Sequence, residues 1–237
     1  MHFDIITLFP EMFPGTLGNG VVGRALANGV WSHRTINPRD FAGNNYGGVD
    51  DAAFGGMDGQ VIRAEPIALA IEAALAGAGA GARPEIIYFT PRGKPWNQKS
   101  ARRRLSAGAG QSFILICGRY EGIDQRVIDE YKIDEISIGD YILSGGEIAA
   151  QVFIDSLVRL CDNVLNGGAD ATENESFEIG GLEWPLYTRP QEWRGRAVPE
   201  VLVSGHHADI MAWRKEQSDA ATKSRRPDLI KGDNKDG

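Results

Sequence analysis

Three glycine-containing loops carry the most informative residue spacing in this sequence. Each follows a short apolar run: TPRGK at 90–94, CGRYEGID at 117–124 and SIGDYILSGGE at 137–147. Glycine lets backbone N–H and C=O groups approach a ligand closely, and such groups can hydrogen-bond an adenine without a charged side chain. The pattern therefore indicates that a small molecule is bound through the backbone. A second interpretation stays open, in which the glycines only end the strands.

The cysteines indicate neither a disulfide framework nor a metal centre. Cys117 and Cys161 belong to no CxxC pair and to no Cys/His cluster with ligand spacing, so we expect two reduced core residues. No metal site is predicted from the sequence.

GNGVVG at 18–23 has the spacing of a dinucleotide-binding fingerprint. An NAD-dependent oxidoreductase is therefore an alternative function. In that fold the phosphate-binding turn joins its strand to its helix almost directly. Here Pro10 and Pro14 separate the glycines from the preceding strand. GAGAGA at 77–82 has related spacing, but it follows a helical pattern and is more typical of a linker.

The segments around the three loops predict an α/β fold. Apolar strands are expected at 2–9, 33–36, 85–90, 112–118 and 134–139. Helical patterns are expected at 21–28, 65–77, 97–107, 122–131 and 145–164. Strands that alternate with helices form a parallel sheet with helices on both faces. The three loops should then meet in one crevice at the carboxyl edge of the sheet.

Composition divides the chain into an α/β domain at 1–165, a flexible linker at 166–186 and a small all-α domain at 187–237. The 145–164 helix should close the first domain with an apolar face made of Ile148, Val152, Ile154, Leu157, Val158 and Cys161. Residues 166–181 are polar and acidic, which is typical of an exposed segment that orders on binding.

Charge limits the partners that this chain can have. A net charge of −7 and a pI near 5.2 argue against a protein that coats nucleic acid. A local basic patch is available at 92–104, formed by Arg92, Lys94, Lys99, Arg102, Arg103 and Arg104. The C-terminal segment adds further basic residues with Trp193 and Trp213 between them. The basic patch could equally be a solvated helix face, and tryptophans at helical spacing are more often core residues.

The first residues lack a basic leader and a cleavage site, and no stretch approaches the length of a membrane span. We therefore expect a cytoplasmic protein with no membrane partner.

Two of the three loops carry a family resemblance. CGRYEGIDQRV and ISIGDYILSGGE resemble the paired signature of bacterial tRNA (guanine-N1)-methyltransferases, which belong to the SPOUT class. The likeness continues, in order, through LFPEMF at 8–13, PRDFA at 38–42, WPLYTRPQEW at 184–193 and VLVSGHHADIMAWR at 201–214. It therefore covers almost the whole chain.

The resemblance implies a function and an architecture. The function is transfer of a methyl group from S-adenosylmethionine to N1 of the guanosine immediately 3′ of the anticodon in tRNA. A related SPOUT methyltransferase that acts at another RNA position stays an alternative. The implied architecture is a SPOUT-like sheet with a C-terminal trefoil knot, in a homodimer whose active sites span the subunit boundary. The partners would be tRNA and a second copy of the chain, with no DNA.

The resemblance also assigns cofactor contacts to the three loops. The residues are Tyr88, Thr90 and Pro91 in the first, Gly118, Tyr120, Glu121 and Gly122 in the second, and Ile138, Gly139, Tyr141, Leu143, Gly145 and Gly146 in the third. Members of the family often need Mg²⁺. The sequence offers no dedicated cage for it, so any ion would be loosely held.

Methylation at guanine N1 requires a base for the N1 proton and a cation for the charge that builds on the ring oxygen. The resemblance maps the base to Glu175, before the Ser-Phe pair of the linker, and the cation to Arg159 on the long helix. The linker is one residue longer than usual, so Glu173 or Asn174 could occupy the aligned position. Residues 173–178 could also be only a solvated acidic linker.

Residues 50–62 depart from the family pattern. The family shows DDxxYGGGxGM, whereas this chain reads DDAAFGGMDGQ, with Phe54, Met57 and Gln60 at the changed positions. We therefore transfer no individual role to this loop, although it could contact RNA or cofactor.

Overall fold

The structure is a computed structural model, and it describes residues 1–43, 47–56, 58–79, 83–106, 111–166 and 172–230. The chain divides into two compact units, Met1–Gly168 and Ala169–Gly237. Met57, one of the changed positions of the 50–62 loop, lies outside the described residues.

The first unit is built on a five-stranded parallel sheet. Its strands, together with a separate antiparallel pair, are β1 (His2–Ile6), β2 (Ser32–Ile36), β3 (Asp50–Ala52), β4 (Gln60–Ile62), β5 (Glu85–Pro95), β6 (Ser112–Ile116) and β7 (Asp134–Ser137). The sheet order is β2-β1-β6-β5-β7, and β3 pairs with β4 in a separate two-stranded sheet. The parallel sheet predicted from the sequence is confirmed.

Helices cover both faces of this sheet. They are α1 (Gly20–Ala27), α2 (Ala64–Gly77), α3 (Gln98–Leu105), α4 (Gln125–Tyr131) and α5 (Glu147–Val158). Successive side chains of a strand point to opposite faces. Phe113 and Leu115 of β6 therefore pack in the core that contains α5, whereas Ile114 and Ile116 pack in the core that contains α2 and α4. This arrangement gives the expected core on each side.

Strand β5 runs further than the sequence indicates. TPRGK at 90–94 was predicted as a loop, but β5 continues to Pro95, with a shift of pairing register against β7 between Phe89 and Lys94. Gly93 explains the close approach, because a Cβ added there would lie 2.4 Å from the backbone N of Ile136. The segment is thus a bulge within a strand and not a free loop.

Helix α5 is shorter than predicted, and part of its expected apolar face is wrong. It ends at Val158, and Arg159 is its C-cap residue and not part of the helix body. Ile154, Leu157 and Val158 are buried as expected, but Ile148 is 49% exposed and Val152 is 43% exposed. These two residues are four apart and share one outward stripe of the helix. Phe153, which the expected face did not include, is fully buried.

The second unit is only partly helical. It contains β8 (Glu192–Trp193), β9 (Arg196–Ala197), α6 (Glu200–Val203), α7 (His207–Arg225) and α8 (Pro227–Ile230). The prediction of an entirely helical region is wrong at 192–197, where β8 and β9 form an antiparallel hairpin. Arg194 and Gly195 form its turn with φ of 52° and 74°, and positive φ at both central residues is the hairpin geometry that glycine favours.

The helices of the described segments include none that is both long enough and apolar enough to cross a membrane.

Candidate active site

The three loops predicted to meet do line one cleft, of about 240 Å³, in the first unit. All of the residues predicted to contact the cofactor lie in its wall: Tyr88, Thr90, Pro91, Gly118, Tyr120, Glu121, Gly122, Ile138, Gly139, Tyr141, Leu143, Gly145 and Gly146. The cleft is also lined by residues that the sequence did not single out, among them Arg119, Ser137, Ile142 and Ser144. The strands are parallel, so β6 and β7 direct their following loops to the same edge.

Tyr88 forms the contact between the first and second loops. A Cβ added at Gly118 would lie 2.7 Å from the Tyr88 ring, and one added at Gly122 would lie 2.9 Å from its hydroxyl oxygen. Gly122 also has a φ of +119°, a conformation that side chains disfavour. Burial raises the pKa of Tyr88, so its phenol stays protonated at neutral pH and can donate a hydrogen bond.

The second and third loops contact each other through their backbones. Gly146 N–H donates to the carbonyl of Gly118 at 3.0 Å. A Cβ at Gly146 would lie 2.7 Å from the Cα of Cys117, so this position has no room for a side chain. The third loop also folds on itself, because the Tyr141 hydroxyl donates to the carbonyl of Ile138 at 3.0 Å. These contacts fix the spacing of the two walls.

A buried carboxylate, Glu147, anchors both walls to the sheet. Glu147 is the first residue of α5 and is 1% exposed, and it accepts a hydrogen bond from the Thr7 hydroxyl at 2.8 Å. Arg119 pairs with it, with 2.9 Å between Arg119 Nη2 and Glu147 Oε2. Arg119 Nη1 also donates to the carbonyl of Ser144 at 3.1 Å. The arginine therefore joins the second loop to the third, and the carboxylate joins both to the end of β1.

No sequence motif indicates this network. The available signal was a glutamate that directly follows a glycine pair and begins an apolar helix. Acidic residues are common near helix N-termini on exposed surfaces, so the signal becomes informative only once the glutamate is known to be buried.

The β3–β4 hairpin attaches to the second loop. Glu121 N–H donates to the carbonyl of Gln60 at 2.9 Å, and Ile62 N–H donates to the carbonyl of Gly122 at 2.9 Å. Gly59 packs on the Glu121 side chain, with 2.6 Å between a Cβ added there and Glu121 Cγ. The hairpin carries Phe54 at 99% exposure. The divergent 50–62 segment thus supports the wall of the cleft through Gln60 and Ile62.

The two residues predicted to be catalytic lie in different units. Arg159 follows α5 in the first unit, is partly exposed, and its N–H donates to the carbonyl of Asp155 at 3.1 Å. Glu175 is partly exposed in the second unit, where its N–H donates to the carbonyl of Thr172 at 3.2 Å. Glu173, the alternative for the base, is exposed. Asn174, which could occupy the aligned position but cannot act as a base, is exposed as well. Neither unit by itself contains both predicted groups.

The segment that follows Glu175 is tied to α7. The Ser176 hydroxyl donates to the Glu183 carboxylate at 3.1 Å, and Glu183 N–H donates to the Ser176 oxygen at 3.0 Å. Leu182 N–H donates to the Thr222 hydroxyl of α7 at 2.8 Å. Within the second unit, the described part of the predicted linker is therefore a hydrogen-bonded turn.

The predicted basic patch at 92–104 is smaller than its sequence indicates. Arg104 pairs with Glu85 and Asp134, and it is only 17% exposed. Arg92 lies 3.3 Å from the Glu135 carboxylate. Lys94, Lys99 and Arg103 are exposed. Arg92 and Arg104, two of the predicted phosphate contacts, are thus paired with acidic residues of β5 and β7.

Within the described ranges, no cluster of three or more His, Cys, Asp or Glu side chains is placed to hold a metal ion.

A parallel sheet whose glycine-rich turns enclose a cleft at its carboxyl edge defines a ligand-binding protein of the α/β class. Over residues 1–232 the chain matches the family described as tRNA (Guanine-1)-methyltransferase TrmD. The chain therefore belongs to the tRNA (guanine-N1)-methyltransferase family, and the resemblance found in its motifs is confirmed.

Individual relatives agree with the family match. A tRNA (guanine-N(1)-)-methyltransferase of Cereibacter sphaeroides is 51% identical over 226 residues, which cover 95% of this chain and 89% of the relative. The protein of the same name from Rhodospirillum rubrum is 51% identical over 225 residues, covering 95% and 90%. That of Rickettsia akari is 49% identical over 236 residues, covering 98% of each chain.

The oxidoreductase alternative has no support in this structure. Two short 3₁₀ turns, Pro10–Met12 and Gly15–Gly18, stand between β1 and α1. A phosphate-binding turn would join the strand directly to the helix.

Proposed function

We propose that this protein transfers a methyl group from S-adenosylmethionine to N1 of the guanosine immediately 3′ of the anticodon in tRNA. The observation that carries the proposal is the single cleft formed by all three loops, in a chain that belongs to the tRNA (guanine-N1)-methyltransferase family. The relatives are named for methylation at guanine N1 of tRNA. The position beside the anticodon rests on the family resemblance of the motifs.

The cleft fits S-adenosylmethionine by its chemistry. Its wall includes Gly118, Gly145 and Gly146, and the absence of side chains there lets a ligand approach the backbone closely, which suits hydrogen bonds to an adenine. Glu121 is the carboxylate among the lining residues, and it suits a ligand with a positive charge. When bound, S-adenosylmethionine supplies an electrophilic methyl group that needs placement and no further activation. The residues that hold it are the loop residues predicted from the sequence.

Catalysis is assigned to Glu175 and Arg159. The Glu175 carboxylate takes the proton from guanine N1, which makes the N1 lone pair available for attack. The Arg159 guanidinium donates hydrogen bonds to the guanine oxygen, where negative charge develops as the proton leaves. Because the two residues lie in different units, this assignment requires the units, or two copies of the chain, to come together around the guanine.

A homodimer is supported by the outer stripe of α5. Ile148 and Val152 expose apolar surface there, and Ile142 of the third loop is 79% exposed. Exposed apolar residues next to a ligand cleft are typical of a surface that a partner covers. We propose that a second copy covers it, and that the loops form the trefoil knot of the SPOUT class.

The remaining assignments concern partners and location. We propose that the second unit, together with exposed basic residues such as Lys99 and Arg103, contacts tRNA phosphates. Mg²⁺, where it takes part, is held loosely by carboxylates or by RNA, and no step is assigned to it. The proposed location is the cytoplasm, where tRNA is modified.

Transfer of label tests the proposal. The protein is incubated with S-adenosylmethionine labelled in its methyl group and with two tRNA transcripts, which carry guanosine or adenosine immediately 3′ of the anticodon. Label in the first transcript alone supports the proposal. Equal label in both transcripts supports the alternative of a SPOUT methyltransferase acting at another RNA position, and no label in either contradicts methyl transfer.

A second titration separates the oxidoreductase alternative. Thermal unfolding is followed with S-adenosylmethionine and, separately, with NADH. We expect the unfolding temperature to rise with S-adenosylmethionine only. A rise with NADH alone contradicts the assignment of the cleft.

A further inference from the structure

The second unit contains a cleft of its own, of about 530 Å³, which none of the assignments above uses. It is enclosed by residues of 184–191, by Val198, by the end of α6 and by the first half of α7. Trp184, Tyr187, Arg189, Val198, Ile210 and Arg214 are among its lining residues. We call it the Trp184 cleft. It lies entirely within the second unit.

The chemistry of the Trp184 cleft is aromatic and cationic. The guanidinium carbon of Arg214 lies 5.0 Å from the centre of the Trp184 ring, and Arg189 is a second cation in the wall. None of its lining residues is acidic, although the chain as a whole has a net charge of −7. This local reversal of charge favours an anionic occupant.

Two further observations indicate an occupant with a flat ring and an acceptor oxygen. Tyr187 is 50% exposed, and its ring is supported at 6.3 Å by the ring of Trp213. The Nε atom of Arg214 is buried, and no described residue accepts a hydrogen bond from it. An unsatisfied buried donor costs free energy, so an acceptor from a ligand would be stabilising there.

We propose that the Trp184 cleft binds one unpaired nucleotide of the tRNA, with its base stacked on Tyr187 and its phosphate bound by Arg214. Unpaired RNA bases stack on exposed aromatic rings, and arginine forks bind phosphate oxygens. An apolar peptide would leave both arginines without an anion. The inference rests on the proposed function, since it takes the nucleic acid to be tRNA.

Equilibrium binding of full-length protein to an unmodified tRNA transcript tests the proposal. The variants are Tyr187→Leu, which removes the stacking ring, and Arg214→Gln, which removes the cation. Base stacking and charged phosphate contacts of this kind predict that each variant weakens binding by roughly 5- to 150-fold. Lys215→Gln is the matched control, because Lys215 follows Arg214 on α7, is exposed and already pairs with Asp219 at 2.7 Å. It should weaken binding by less than threefold.

Photo-crosslinking gives the second readout. Transcripts with 4-thiouridine at one unpaired position at a time are irradiated with the wild-type protein. We expect one position to crosslink to the peptide that contains Tyr187 and to lose that crosslink in Tyr187→Leu. Should Arg214→Gln unfold, Tyr187→Leu keeps the test intact, since a half-exposed residue can be shortened without opening a core.

The outcomes separate this proposal from the proposed function. If the wild-type protein methylates tRNA and the tRNA affinity of Tyr187→Leu stays within threefold of the wild-type value, only the proposal for the Trp184 cleft is overturned. Cleft variants that dissociate a dimer without changing tRNA affinity also overturn it, since the occupant is then a second protein chain. A wild-type protein that transfers no methyl group to tRNA overturns the proposed function instead.

Discussion

Adding one methyl group at Gly146 tests whether the contact between the second and third loops sets the shape of the cleft that we propose binds S-adenosylmethionine. Gly146 has φ of −78° and ψ of −10°, which alanine adopts without strain. Its new Cβ would, however, lie 2.7 Å from the Cα of Cys117 and 3.0 Å from the N of Gly118. Both are backbone atoms at the end of β6, so they cannot rotate away, and the third loop must move by several tenths of an ångström.

The expected magnitude follows from that overlap. Overpacking of a tight contact costs about 1–3 kcal/mol, which corresponds to a roughly 5- to 150-fold loss if it falls entirely on cofactor affinity. The free protein can relieve part of the overlap by displacing the loop, and that part lowers the free energy of unfolding instead. The two losses together should therefore reach about 1–3 kcal/mol.

Calorimetric titration with S-adenosylhomocysteine measures the affinity without turnover, and urea unfolding measures the stability. Gly79→Ala is the matched control, because a Cβ there meets no atom within 4 Å. If Gly146→Ala binds as tightly and unfolds at the same urea concentration as the control, the loops are not in the contact described, and the reasoning fails.

Three further predictions concern other parts of the first unit. Arg159→Ala is expected to lower kcat by about 100- to 1000-fold with little change in cofactor affinity, measured by label transfer and calorimetry; surviving turnover would contradict its role. Glu147→Gln leaves Arg119 without its buried carboxylate, so KM for S-adenosylmethionine should rise more than kcat falls. The free energy of unfolding in urea should fall by about 1–3 kcal/mol. An unchanged KM would refute the anchoring role. Burial raises the pKa of Cys117 and of Cys161, so iodoacetamide at pH 8 should modify Cys117 only after unfolding, as followed by intact mass; rapid labelling of native Cys117 would contradict its burial.

The sheet and its cleft were accessible from sequence because both depend on local patterns. Apolar runs such as SFILI at 112–116, short and rich in branched and aromatic residues, favour buried strands, and glycines directly after them predict where a backbone approaches a ligand. Parallel connectivity then brings the strand ends together without further information. For this reason the predicted cofactor residues line the same cleft.

The parts that were missed depend on contacts distant in sequence. Gly93 packs on the backbone of Ile136, which turns a predicted loop into a bulged strand. Glu147 pairs with Arg119 and Thr7 across the sheet, and no local spacing indicates that meeting. Val152 fits an apolar helix face by periodicity, yet it faces outward, because periodicity alone cannot tell a buried apolar stripe from an exposed one.

The hairpin at 192–197 was missed for a different reason. Its strands have two residues each, too few for an alternating pattern, and its turn begins at Arg194. Arginine at a position with φ of 52° is not a usual turn signal, so only Gly195 marked the site.

The most direct test of the central claim is the position of the methyl group on the product. An unmodified tRNA is incubated with the protein and S-adenosylmethionine, digested to nucleosides and to oligonucleotides, and mapped by mass spectrometry against standards. We predict one 1-methylguanosine, in the oligonucleotide that contains the nucleotide immediately 3′ of the anticodon. A methyl group on another atom of guanine, on another nucleotide, or on no nucleotide would contradict the account.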